Sequence, residues 1–94
     1  MKYRKRPVII DAWHILDLLA AADEDWGALP GPVKAAYEQG GWVFCPTELH
    51  IPTPAGAMIG KAGEMLVMGV AGEFYPCTPE IFQNAYERVE HPNG

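Results

Sequence analysis

Apolar and polar positions alternate between two periods along this chain. From Ile15 to Ala22 the residues Ile15, Leu18, Leu19 and Ala22 recur at helical spacing within Ile-Leu-Asp-Leu-Leu-Ala-Ala-Ala, a run of strong helix formers with no breaker. The acidic cluster Asp23-Glu24-Asp25 is unfavourable at the negative end of a helix dipole, so the helix is expected to stop near it. Gly27-Ala28-Leu29-Pro30-Gly31-Pro32 is a loop dense in breakers. A second helix is expected to begin at or after Pro32, with Val33, Ala36 and Tyr37 on one face and Gly40-Gly41 ending it.

The remaining periodicity is that of strands. Arg4 to Trp13 carries β-branched Val8, Ile9 and Ile10 after Pro7 and reads as a first strand. Trp42-Val43-Phe44-Cys45 is a short apolar strand. Glu48 to Thr53 alternates, with Leu49 and Ile51 on one side and His50 toward solvent. Pro54-Ala55-Gly56 turns the chain, Ala57-Met58-Ile59 returns, and Lys61-Ala62-Gly63 turns it again. Glu64-Met65-Leu66-Val67-Met68 is apolar on both faces, the mark of a central strand covered on both sides. Gly69 to Gly72 is a hairpin connection to Glu73-Phe74-Tyr75. Thr78 is a helix N-cap followed by Pro79 in the first turn, and Tyr86-Glu87-Arg88-Val89 reads as a final strand. The sum is an α+β fold: a mostly antiparallel sheet with two helices on one face and a short helical turn before the last strand, the first and last strands being candidates to pair. Trp42, Phe44, Phe74 and Phe82 are the aromatic residues assigned to the core.

Ninety-four residues make a single domain, 1–94, with one modest core. No apolar stretch approaches the length needed to cross a bilayer, and the run after the basic start is too short for a signal-peptide core, so a cytoplasmic location, that of a host cell, is the expectation. The net charge of −5 hides an uneven distribution: Lys2, Arg4, Lys5 and Arg6 hold four of the seven basic residues. An acidic body with one basic edge excludes an extended face for duplex nucleic acid but leaves room for a small anionic ligand. The same charges also serve to keep a first strand from pairing at its edge.

Two regions together resemble a known family. Tyr3-Arg4-Lys5-Arg6-Pro7-Val8-Ile9-Ile10-Asp11-Ala12 is similar to the Tyr-Arg-Lys-Lys-Pro-Val opening of small phage and prophage proteins. Gly69-Val70-Ala71-Gly72-Glu73-Phe74-Tyr75-Pro76-Cys77-Thr78-Pro79-Glu80-Ile81-Phe82, followed by Tyr86-Glu87, is similar to their close. Ile51-Pro52-Thr53-Pro54-Ala55-Gly56 matches the family's Ile-x-Thr-x-x-Gly. The family is the one named for a Pro-Gly-Asp-Tyr-Gly motif. Lys61-Ala62-Gly63-Glu64-Met65-Leu66 stands in that motif's place, with the proline, aspartate and tyrosine replaced. The resemblance implies a phage or prophage origin and a small accessory role, and it brings no catalytic residues.

Candidate chemistry is sparse. His14, His50 and His91 have no closely spaced metal-ligand partners; Cys45, Cys77 and His50 meet only if folding brings them together, so no metal or cofactor is expected. Cys77 at the mouth of a short helix is the one candidate thiol nucleophile, with His14 or His50 as its base, but no oxyanion-hole motif accompanies it and no catalytic residue is assigned. Both cysteines are expected to be packed free thiols. The glycines suit hairpins better than phosphate cradles, since no Gly-Lys-Ser/Thr is present. These features point to a non-enzymatic binding protein. One form is a counter-defence protein sequestering a nucleotide signal, with Arg4, Arg6 and Lys61 on phosphate and Trp13 or Tyr75 stacking the base. The alternative is an inhibitor or accessory factor that binds a host protein through the acidic body and Trp26. A small thiol-dependent hydrolase is the third reading. Homo-oligomerisation through exposed edges and apolar surface is expected.

Overall fold

The structure, a computed structural model, describes residues 1–3 and 8–87. It is α+β. Strand β1 (Asp11–His14) leads into helix α1 (Ile15–Glu24), a 3-10 turn (Trp26–Ala28) and helix α2 (Gly31–Glu38). Then come β2 (Val43–Phe44), β3 (Glu48–Thr53), β4 (Gly56–Lys61), β5 (Met65–Met68), β6 (Phe74–Cys77) and helix α3 (Pro79–Ala85). All ladders are antiparallel.

Helix α1 has no side-chain N-cap. Its first amide groups are satisfied instead by the turn after β4: Ile15 N–H donates to Glu64 O (3.0 Å) and Leu16 N–H to Ala62 O (3.1 Å). The apolar stripe foreseen for α1 faces inward, with Ile15, Leu18 and Leu19 buried. They pack with Leu29, Val33 of α2, Trp42, Leu49 and Ile51 of β3, and Leu66 of β5 in one core cluster. Strand β3 thus buries Leu49 and Ile51 on one face, as its alternation requires. Helix α2 begins at Gly31, one residue before Pro32, and Gly40 and Gly41 follow it with φ of 99° and 91°. Trp42 is buried, while Phe44 and Phe74 are half-buried against the core. Phe82 is half-buried on α3 and packs on Tyr86 instead of joining that cluster.

The first strand is shorter than its composition predicts. Its register pairs Asp11 with Met68, the last residue of β5. One step outward, Ile10 would face Gly69, where the chain leaves β5: Gly69 N–H donates to Glu73 O (2.8 Å) and its carbonyl accepts from Gly72 N–H (3.0 Å), closing the turn to β6. Val8 and Ile9 therefore have no strand to join and are exposed. β1 pairs with β5, and Tyr86 and Glu87 are not in a strand; Arg88 and Val89 of the expected last strand, and Arg4 to Pro7 of the first, lie outside the described residues.

Among the described residues, six strands form two three-stranded sheets, β1-β5-β6 and β2-β3-β4, where a single one was expected. β4 and β6 are in contact, yet no ladder joins them. Pro76 supplies a reason. The Gly69–Glu73 bond places the ladder hydrogen bonds of β5–β6 on the alternating pairs Val67–Tyr75 and Met65–Cys77. Pro76, between them, turns its ring nitrogen away from β5, where an ordinary residue would offer an amide to the next strand. As expected for a central strand, β5 is buried on both faces: Leu66 faces the main core, Met65 and Val67 the opposite side.

Candidate functional site

Three places on the surface combine chemistry with shape. The first is a groove of about 300 Å³ beside Trp13, closed by α1 and by the loop carrying Ala28 and Pro30. Trp13 is half-buried and packs against the core. Among the described residues, the charged or titratable groups of the groove wall are His14 and Asp17, with no Lys or Arg. His14 ends β1 and occupies the N-cap position of α1 without a capping hydrogen bond, the junction expected for it.

Of the residues proposed to hold a nucleotide, the described ones, Trp13, Tyr75 and Lys61, do not share one face. Trp13 opposes Leu66, which opposes Pro76, so these three share the core face of their sheet. Tyr75 opposes Val67 and shares the other face with Ala12, so Trp13 and Tyr75 cannot flank the same base. The Tyr75 hydroxyl is engaged by that of Tyr86 at 3.0 Å. This hydrogen bond, then partial desolvation and the neighbouring negative groups, push the Tyr75 phenol up to about 12. Lys61 ends β4 in an acidic setting: it lies opposite Glu48, and its N–H donates to Glu64 Oε1 (2.8 Å). Arg4 and Arg6 lie outside the described residues.

Cys77 does not have the surroundings of an activated nucleophile. Desolvation first, and the Glu64 carboxylate second, raise its thiol above the ordinary value, the opposite of what attack requires. His14 shares its face but is separated by Met65 on the intervening strand, about 9–10 Å at ordinary strand spacing. His50 belongs to the other sheet. Both cysteines are free and half-buried.

The second place is an aromatic cluster. Trp26, on the 3-10 turn, meets the Tyr37 ring of α2 edge-on (centroids 4.9 Å, 72°) and the Phe44 ring of β2 (5.8 Å, 75°); Tyr37 and Phe44 are 5.9 Å apart. Trp26 and Tyr37 remain 41% and 40% exposed, too much for core residues. Asp23, Glu24 and Asp25 are exposed just before Trp26, and Glu38 just after Tyr37. Asp23 and Phe44 also border a shallow groove between α1 and the β2–β3 hairpin. Lys34 Nζ donates to Gly27 O (3.4 Å), tying α2 to the turn that carries Trp26.

The third place is the outer face of that hairpin, where Cys45, Glu48 and His50 converge. His50 is half-buried, and its Nε2 lies 2.5 Å from Glu48 Oε2. Glu48 carries no signal of its own in the sequence. The readable signal was the two-residue gap Pro46-Thr47 between two strands, which makes Cys45 and Glu48 opposite neighbours.

No family model matches the chain, and neither a curated protein nor a solved structure matches it.

Proposed function

We propose that this chain is a non-enzymatic binding protein that docks on a partner protein through the Trp26–Tyr37–Phe44 cluster. The observation that carries the reading is the pair of half-exposed rings, Trp26 and Tyr37, held edge-on to each other at 4.9 Å. Large aromatic side chains fixed by their neighbours lose little freedom on binding and are the usual anchors of interfaces. The acidic rim of Asp23, Glu24, Asp25 and Glu38 selects a partner whose corresponding surface is basic. The resemblance to small phage and prophage proteins adds the expectation that the partner is a host protein and that the docking inhibits it or redirects it.

The nucleotide-sequestering form has less support, because the described residues of the Trp13 groove include Asp17 and no cation, and a phosphate needs one. One experiment separates the two. The protein is immobilised and exposed to lysate of the bacterial host, in parallel with calorimetry against cyclic and ADP-ribose-derived nucleotides. A stoichiometric basic protein retained by the natural chain and lost with Trp26→Ala, whose fold is unchanged by circular dichroism, supports docking. Retention insensitive to Trp26→Ala, or saturable nucleotide heat without a retained protein, overturns it.

A further inference from the structure

We propose that Cys45, Glu48 and His50 form a site for one divalent cation of the zinc type, with a coordination position left open. The argument begins with the spacing Cys-x-x-Glu-x-His. Strands β2 and β3 are joined by Cys45-Pro46-Thr47, and Cys45 N–H donates to Glu48 O at 2.9 Å, closing the hairpin. Cys45 and Glu48 are therefore directly opposite, and their side chains leave the same face. Two residues along β3, His50 leaves that face again. The Cys45 Sγ, a Glu48 carboxylate oxygen and a His50 ring nitrogen all lie within 4.8 Å of one another.

Donors of a tetrahedral zinc-type ion stand roughly 3.3–3.6 Å apart, given metal–ligand bonds near 2.0–2.3 Å. The cluster brackets that spacing. Seating an ion requires the 2.5 Å contact between His50 and Glu48 to open by about 1 Å, a side-chain rotation, with no movement of the strands. The scaffold is stiff where stiffness helps. Leu49 and Ile51 are fully buried on the reverse face of β3, and Ala62 N–H holds Thr47 O at the hairpin tip (3.1 Å).

The donor set is selective. Thiolate with imidazole favours zinc-type ions over magnesium or calcium, which want oxygen alone. All three side chains are half-buried, partly shielded from water yet reachable by an ion. No further Cys, His, Asp or Glu among the described residues joins them, so the fourth position falls to water or to a group from outside. Lys61, opposite Glu48, is the neighbouring positive charge and tempers the affinity. Binding is not a redox step: the thiol proton passes to buffer as the Cys45 sulfur–metal bond forms, and His50 binds as neutral imidazole.

The test uses the full chain, stripped with a chelator and titrated with Zn²⁺ by calorimetry and with Co²⁺ by absorption. One ion per chain is expected, with the thiolate-to-cobalt band and the strong d–d bands of four-coordinate Co²⁺. Cys45→Ser and His50→Ala are each expected to weaken Zn²⁺ binding by roughly 100-fold or more, beyond what losing an outer-shell partner costs. Glu48→Gln, a near-isosteric change that leaves the hairpin intact, keeps an uncharged amide oxygen as a weaker donor and is expected to weaken binding clearly but less than Cys45→Ser or His50→Ala does. Cys77→Ser is expected to leave affinity and spectrum unchanged. Circular dichroism confirms the fold of each variant. Absence of saturable binding, a cobalt complex without the thiolate band, or affinity indifferent to Cys45→Ser or Glu48→Gln overturns the site.

Discussion

Gly60 on β4 and Ile15 on α1 approach so closely that no β-carbon fits between them. A Cβ at position 60 would stand 2.5 Å from Ile15 Cδ1 and 3.2 Å from Pro76 Cβ. Gly60 thus sits where the two sheets and the first helix meet. Ile15 is fully buried and Pro76 is a ring, so neither yields easily.

Gly60→Ala is expected to destabilise the fold by about 1–3 kcal/mol, the range for overpacking. In a domain of this size each kcal/mol lowers the thermal midpoint by roughly 4–8 °C. Thermal denaturation followed by circular dichroism measures it, and an unchanged midpoint contradicts the packing described for this junction.

Gly40 and Gly41 separate backbone strain from steric overlap. Both have positive φ, but a Cβ at Gly40 meets open space whereas one at Gly41 lands 2.7 Å from Pro52 Cβ. Gly40→Ala is expected to cost about 1 kcal/mol through conformation alone. Gly41→Ala is expected to cost a further 1–3 kcal/mol, approximately, from the collision. Urea denaturation of the two variants gives the order; equal values contradict it.

The Thr78 side chain accepts a hydrogen bond from Ile81 N–H at 3.3 Å and caps α3. The site is exposed and the bond long, so Thr78→Ala is expected to cost about 0.5–1 kcal/mol, the lower part of the capping range. Because α3 buries none of its residues, its amides are expected to lose exchange protection first. Hydrogen exchange on the natural and variant chains checks both.

Tyr75 is held protonated by its hydrogen bond to Tyr86, with desolvation and nearby negative groups adding to the effect, up to about 12. The folded chain therefore keeps a proton that an unfolded tyrosine releases near 10. This contribution to stability is complete below about pH 10 and is lost as the pH rises toward about 12. Spectrophotometric titration is expected to show one tyrosine ionising late, and Tyr86→Phe to move that step to lower pH.

The sequence is most legible where local chemistry and tertiary packing agree. The face of α1 made by Ile15, Leu18 and Leu19, the alternation of Leu49 and Ile51, the two-sided burial of β5 and the Thr78 cap all follow from spacing alone. Val8, Ile9 and Ile10 show the converse: β-branched residues favour a strand but cannot make one when the neighbour ends at Met68. The Cys45–Glu48–His50 cluster needed pairing as well as strand assignment, because residues chosen one strand at a time do not reveal who stands opposite whom. The exposure of Trp26 rests on Tyr37 and Phe44, which arrive from two other elements.

Pro76 gives the molecule a mechanical line of weakness. Where β6 runs against β4, cohesion comes from side chains, Gly60 nestled on Pro76 among them, without the cross-links that zip neighbouring strands elsewhere. Drawn apart along that line, β4 and β6 would separate with no row of amides to break in unison.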